Sequence, residues 1–240
     1  MSDAPRGTGW GEGWRATVRG AAAVFRKDLR IELRTRDVTT TTARFGVLVV
    51  VIASLSFYLD PLLARKIAPG VLWAAIAFGG LLAMGRGWAR ERELGAFRGL
   101  LLAPVPRSAL FLGKAAAHLL FLLAVEVVLV PLVALFFHVD LTEVFVPLAV
   151  LLVLGSTGFV LAGTLFGALT VRTGARDLAL SVVVFPLITP ALLGGVAATR
   201  QVLVNGADLA DLAGWVQILV AFDLVFLAAG AMLFDVLLSD

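Results

Sequence analysis

Three ionisable residues recur at helical spacing inside an apolar stretch of the chain. Lys114, His118 and Glu126 lie four and eight positions apart, which places them on one face of an α-helix. A carboxylate in the middle of a membrane span costs on the order of 2.5 to 3.5 kcal/mol, so Glu126 should face protein or a water-filled cavity. The series could form part of a substrate or gating route. A buried, hydrogen-bonded glutamate that joins two helices is the other interpretation.

Asp223, within the segment ILVAFDLVF, is a second acid in apolar surroundings. The same two interpretations apply to it, as a residue of a pathway or gate or as a buried link between helices.

The elements that carry these residues are expected to be membrane-spanning helices. Of the 240 residues, 60% are hydrophobic and 15% charged, against roughly 25% charged residues in soluble domains. Apolar runs of about twenty residues predict a polytopic all-α membrane protein, and their lack of alternation argues against transmembrane strands. The chain has no cysteine, which excludes disulfides and thiolate metal sites. We expect no metal site.

Six apolar segments are predicted to cross a hydrocarbon layer of roughly 30 Å, the longer ones with some tilt. The two shortest, which come first, need their flanking residues to do so. The segments are 44–59, 69–85, 115–137, 144–171, 178–199 and 214–238.

The distribution of positive charge predicts the orientation of these spans. With both termini on one side, that side carries 17 of the 20 Lys and Arg residues, including nine in the first 44 residues, and the other side carries Arg65, Lys66 and Arg200. By the positive-inside rule, both termini and the segment between the second and third spans face the cytoplasm.

An amphipathic helix is predicted over residues 17–36, before the first span. Apolar residues from Val18 to Leu33 recur every three or four positions, and basic residues cover most of the remaining surface. Such an elbow helix is expected to lie in the cytoplasmic interface, against membrane lipids. A solvated helix that serves only as a topology signal is the alternative. Residues 1–15 are predicted to be a disordered tail, 16–240 one six-span domain, and Thr39 to Thr42 to cap the first span.

The segment ERELGAFRGLLLAPVPRSALFLGK, residues 91–114, interrupts the apolar sequence between spans two and three. It predicts a short cytoplasmic helix that ends before Pro104 and Pro106. Its charged and apolar residues suit docking to a soluble partner, although an interfacial loop is also compatible. The candidate docking residues are Arg90, Glu91, Arg92, Glu93, Leu94, Gly95, Phe97 and Leu101.

Catalytic motifs are missing from the sequence. There is no G-x-x-x-x-G-K-[ST] phosphate loop, no H-E-x-x-H and no serine–lysine pair on a shared face, so neither ATP hydrolysis nor an intramembrane enzyme is expected. No nucleic-acid partner is expected either.

Residues 91–114 resemble the E-x-x-G…LL-x-x-P-V-x-R…GK coupling segment of ABC-2-type transporter membrane subunits. FRKDLRIELRTRD, residues 25–37, is similar to the R-K-D-L-x-x-E-x-R signature of the haem exporter protein B (CcmB) family of cytochrome c maturation. Six spans and FLLAVEVVLVPL in the third agree with it. The elbow residues that carry the resemblance are Phe25, Lys27, Asp28, Leu29, Glu32 and Arg34.

The resemblance implies a non-catalytic permease subunit of the bacterial inner membrane, acting as a homodimer. Its implied partners are a separate ATPase (CcmA), which binds the ATP, the membrane proteins CcmC and CcmD, and the haem chaperone CcmE. The implied function is haem export or ATP-driven release of the loaded chaperone. The alternative is a general ABC-2-type exporter of lipid, polysaccharide or drug.

Haem is expected as a possible substrate rather than as a resident cofactor. His118 and His138 lie twenty positions apart on one predicted helix, roughly 30 Å along its axis. They cannot ligate one iron from a single chain.

Overall fold

The computed structural model describes residues 10–57, 60–93, 99, 105–173 and 177–237, and this part of the chain is helical, with short connections. The prediction of an all-α protein is therefore confirmed. Seven helices are described: α1 (Trp10–Thr35), α2 (Asp37–Ser56), α3 (Pro61–Glu93), α4 (Arg107–Phe136), α5 (Phe145–Thr173), α6 (Asp177–Asn205) and α7 (Ala213–Leu237).

Six of these helices, α2 to α7, are long and apolar enough to cross a membrane, as predicted. The first two are longer than their apolar cores suggest, because α2 begins at Asp37 and α3 continues to Glu93. Hydropathy locates the centre of a span, whereas backbone hydrogen bonding continues into the polar residues at its ends.

Helix α1 begins at Trp10, which corrects the prediction of disorder for residues 10–15. The apolar series of Val18 and Ala22 extends backwards at four-residue spacing through Trp14 to Trp10, so the helical stripe is longer than its basic part. Residues 1–9 lie outside the described part of the chain.

The junction between α1 and α2 is a single residue, Arg36, in the left-handed conformation with φ of 52°. The carboxylate of Glu32 accepts hydrogen bonds from the backbone N–H of Thr39 at 2.7 Å and from its hydroxyl at 2.8 Å. The predicted threonine cap is therefore wrong. Thr39 to Thr42 lie inside α2, and the acid of the preceding helix satisfies its first N–H groups.

The core is centred on α3 and α5, whose spans are the most buried, whereas α2 and α7 are the least buried. Trp73 of α3 is fully buried between two glycines, Gly155 of α5 and Gly195 of α6, and its indole N–H donates to Thr199 Oγ1 at 2.9 Å. Small residues at these crossings let the helix backbones approach closely.

Helix α5 packs closely against a neighbouring helix through Gly163 and Gly167. A methyl group added at Gly163 would meet the side chain of Met84, and one added at Gly167 would meet the ring of Trp88. Both neighbours lie on α3, so the two most buried helices pack through these glycines.

Helix α6 is continuous through Pro186 and Pro190, although proline inside a helix removes a backbone hydrogen bond and favours a kink or break. Both prolines are exposed, so their rings do not displace a neighbouring helix. The Thr189 hydroxyl donates to the Phe185 carbonyl at 2.8 Å. Hydroxyl groups of this kind help membrane helices to tolerate proline.

Candidate functional site

Four charged side chains from three helices meet at one end of the bundle, and we call them the charge cluster: Lys27 and Asp28 of α1, Glu91 of α3 and Lys114 of α4. Lys114 Nζ lies 2.9 Å from Asp28 Oδ2 and 2.5 Å from Glu91 Oε1. Lys27 Nζ contacts the same two acids at 3.0 and 2.8 Å. Lys27 therefore joins α1 to α3, and Lys114 joins α4 to both α1 and α3.

The charge cluster is largely buried and electrically balanced. The side chains of Lys114 and Glu91 are only 5% and 7% exposed, while that of Lys27 is 36% exposed. Two charges of each sign compensate one another, and removing one of the buried ones would leave an opposite charge unbalanced in a poorly solvated place.

The charge cluster shifts the pKa values of Asp28 and Lys27. Burial alone would raise the pKa of Asp28, but the nearby Lys114 and Lys27 lower it below its ordinary value. Burial likewise opposes the charge of Lys27, yet the hydrogen bond to Glu91 and the charge of Asp28 raise its pKa above the ordinary value. Asp28 and Lys27 are therefore both charged at neutral pH.

Small residues bring α1 close enough to form the charge cluster. A methyl group added at Gly113 of α4 would lie 2.6 Å from the Ala21 carbonyl oxygen and 2.7 Å from Val24 Cβ. One added at Gly20 of α1 would lie 2.6 Å from Val105. The absence of these side chains lets α1 cross directly over the start of α4, which places Asp28 beside Lys114.

A small cavity of about 70 Å³ adjoins the charge cluster, with Glu32, Arg90 and His118 also in its wall. Within the described residues, Glu91 Oε2 has no hydrogen-bond partner. Lys114 Nζ also lies 5.2 Å from the ring centroid of Trp88, a cation–π contact.

A second set of ion pairs fixes the same end of α3 to the start of α2. Asp37 accepts from Arg86 at 3.1 Å through one oxygen and from Arg90 at 3.1 Å through the other. The last described turns of α3 are therefore bound to α1, α2 and α4 together.

These contacts bear on the candidate docking residues. Arg90 and Glu91 pair within the chain, so part of each side chain is already engaged. The side chains of Arg92 and Glu93 are not described. Leu94, Gly95, Phe97 and Leu101 lie outside the described residues, so their docking role stays a prediction.

The residues of the α4 series share one face of the helix, as predicted, and this face is the interior one. Lys114, His118 and Glu126 are all buried, but each has a different partner. His118 Nδ1 lies 3.2 Å from Thr164 Oγ1, and the Ser156 hydroxyl donates to Glu126 Oε1. Glu126 therefore links α4 to α5, as the second interpretation of the sequence predicts, and its role in a pathway stays a prediction.

Asp223 of α7 is half-buried against α5, where a methyl group added at Gly158 would lie 2.5 Å from its Oδ1. That oxygen is buried without a hydrogen-bond partner in the described part of the chain. His138 follows α4 as an exposed residue with φ of 54°. The two histidines therefore lie in different environments, one buried within α4 and one exposed beyond its end.

The elbow residues divide between two faces of α1. Lys27, Asp28 and Glu32 point to the protein through the contacts above, whereas Arg34 is exposed. Phe25 and Leu29 are half-buried, and Leu33 is 68% exposed. An apolar edge beside a basic surface is the pattern of a helix that lies on a membrane.

Six membrane-length helices and an amphipathic helix that joins them through buried ion pairs define a polytopic α-helical membrane protein. The sequence model of the CcmB protein family matches residues 19–235, and the chain belongs to that family. It is thus a multi-pass membrane protein of the CcmB family.

Individual relatives agree with this assignment. The Heme exporter protein B of Bradyrhizobium diazoefficiens is 28% identical over 184 residues, 77% of this chain and 82% of that protein. The protein of the same name from Rhodobacter capsulatus is 30% identical over 179 residues, 75% and 82% of the two chains. That of Escherichia coli K12 is 33% identical over 95 residues, 40% and 43%.

Proposed function

We propose that this chain is the membrane permease subunit of an ABC-type haem exporter for cytochrome c biogenesis, in the bacterial inner membrane with both termini in the cytoplasm. Membership of the CcmB family, relatives named Heme exporter protein B and six membrane-length helices support the proposal. The chain hydrolyses no ATP itself. A separate ATPase of the CcmA type supplies the energy.

The observation that carries the coupling role is the charge cluster. Residues 94–106 connect α3 to α4, and the cluster residues Glu91 and Lys114, on either side of this segment, pair with each other and with α1. An ATPase that binds the segment 94–106 would therefore act on helices that are already joined to one another. A push on this segment would move α1, α3 and α4 together instead of bending one helix end.

The complex we propose contains two copies of this chain, the ATPase, proteins of the CcmC and CcmD types and a CcmE-type haem chaperone. Its ATP-driven motion either moves haem outward, with Glu126 and Asp223 near the route, or releases the loaded chaperone. Haem flux into vesicles that hold the full complex distinguishes the two, because only the first requires flux.

Copurification tests the docking role. Replacing Leu94 and Phe97 by Asp should reduce the ATPase recovered with the tagged chain by at least tenfold, because two apolar contacts become charged. The control is Leu209→Asp, which places one such charge on an exposed leucine in the α6–α7 connection and should leave the recovered ATPase unchanged.

Membrane insertion of each variant is checked by its recovery in the membrane fraction. An inserted Leu94→Asp/Phe97→Asp variant that retains the ATPase at the wild-type level would remove the docking role from this segment.

A further inference from the structure

An apolar groove lies between α4 and α5, away from the charge cluster. Its volume is about 370 Å³, within the range of ligand-binding pockets. Exposed residues at its edge, such as Val127 at 73% and Phe145 at 62%, show that it is open to the surroundings of the bundle. Its apolar wall includes Leu123, Val130 and Pro131 of α4 and Leu148, Ala149 and Leu152 of α5.

The groove contains one acid, Glu126, whose residue surface is only 3% exposed. Its Oε1 accepts a hydrogen bond from Ser156, and this is its only hydrogen bond within the described residues. Its Oε2 is therefore left without a donor in apolar surroundings. An unpaired polar oxygen in such a place costs free energy that a hydrogen-bond donor from a ligand would recover.

From this geometry we propose that the groove binds an amphiphile dissolved in the bilayer: a molecule with a slender or flat apolar body and one hydrogen-bond donor. The body packs between α4 and α5, and the donor, a hydroxyl or a carboxylic acid, reaches Glu126 Oε2. The ligand enters sideways from the hydrocarbon layer, because the exposed apolar edge faces it. This site does not depend on the proposed transport function.

A second copy of the chain fits the groove less well. The exposed surfaces of the two least buried helices are apolar at mid-span, with Leu48 and Ile52 on α2 and Leu224 and Val225 on α7. Packing either surface over the groove would supply apolar contacts and leave Glu126 Oε2 without a donor. The hydrogen-bond requirement therefore selects a small amphiphile.

Photolabelling in phosphatidylcholine vesicles tests the site, with a diazirine-bearing long-chain alcohol and its methyl ether as matched probes. The alcohol should label the α4 and α5 residues of the groove at least fivefold more than the ether, because only the alcohol donates a hydrogen bond. Mass spectrometry of the digested protein locates the labels. Glu126→Leu should abolish this preference.

A matched pair of variants separates the groove from general contact with lipid. Ala149→Phe places a ring in the groove and should reduce labelling by the alcohol at least fivefold. Ala124→Phe places the same ring at an exposed position of α4 outside the groove and should change nothing. Equal labelling by alcohol and ether, labelling that survives Ala149→Phe, or a groove that neither probe reaches would each overturn the proposal. If the Glu126→Leu variant fails to fold, the comparison of alcohol with ether and of Ala149→Phe with Ala124→Phe still tests the proposal.

Discussion

Lys114 lies where an isolated cation would be costly, in a buried position about two turns from the start of an apolar span. Asp28 and Glu91 make the position tolerable, and Trp88 covers it with a cation–π contact. The balance of charge at single residues therefore decides whether α1 stays joined to the bundle.

Replacing Lys114 by Met should destabilise the protein by about 3 to 5 kcal/mol, because Asp28 and Glu91 would keep their buried charges with only the partly exposed Lys27 to balance them. The midpoint of thermal unfolding in detergent measures the change. Faster proteolysis at the arginines of α1 would show that this helix has separated.

Lys66→Met is the matched control, since Lys66 is exposed at the start of α3, and it should leave both readouts unchanged. A Lys114→Met protein as stable as the wild type would show that the ion pairs do not hold α1 in place.

Among the elements, the crossings of α3 with α5 and α6 are set by glycines rather than by large interlocking side chains. Trp73 occupies a space bounded on two sides by Gly155 and Gly195 and is held by Thr199. The ring cannot shift away from one helix without meeting the other, so the three helices are fixed relative to one another.

Gly155→Ala should lower the free energy of unfolding by about 1 to 3 kcal/mol, because the added methyl group meets the confined ring of Trp73 and overpacks the core. Equilibrium unfolding in detergent measures this. Gly70→Ala makes the same change on α3, where an added methyl group meets nothing within 4 Å. That variant should be neutral or up to about 1 kcal/mol more stable.

Equal free energies of unfolding for Gly155→Ala and Gly70→Ala would contradict the conclusion that Trp73 fixes the crossing of α3 with α5 and α6.

At the scale of the whole molecule, successive helices run antiparallel, and the two ends of the helix bundle differ in charge. The charge cluster and the Asp37 ion pairs lie at the end that joins α3 to α4, and Arg65 binds the Leu203 carbonyl at 2.9 Å at the other. The sequence predicts 17 of the 20 basic residues on one side, and by the positive-inside rule we expect that side to face the cytoplasm.

Cysteine labelling tests this orientation directly, since the chain has no cysteine of its own. A membrane-impermeant maleimide applied to spheroplasts should label Leu209→Cys at once. It should label Phe97→Cys only after the membrane is permeabilised. The reverse pattern would invert the topology and remove the docking segment from the side where ATP is available.

Much of the architecture was predictable because it depends on local composition. Apolar runs of sufficient length predicted six spans, and the spacing of Lys114, His118 and Glu126 predicted their shared face. The start of α1 was missed, although Trp10 and Trp14 continue the four-residue spacing of its apolar stripe. The cap of α2 and the course of α6 were not predictable in this way, because the position of the Glu32 carboxylate and the exposure of the two prolines depend on how neighbouring segments lie in space.

The sequence by itself determined the class, the number of spans and the family, because transfer of apolar side chains out of water and the bias of positive charge act residue by residue along the chain. Only the tertiary structure decided that Lys27, Asp28, Glu91 and Lys114 form one cluster, and that Glu126, bound to Ser156, lies beside an apolar groove. Coulombic and hydrogen-bond energies fall off steeply with distance and angle. Residues 87 positions apart, such as Lys27 and Lys114, therefore reveal their shared partners only once the helices are packed.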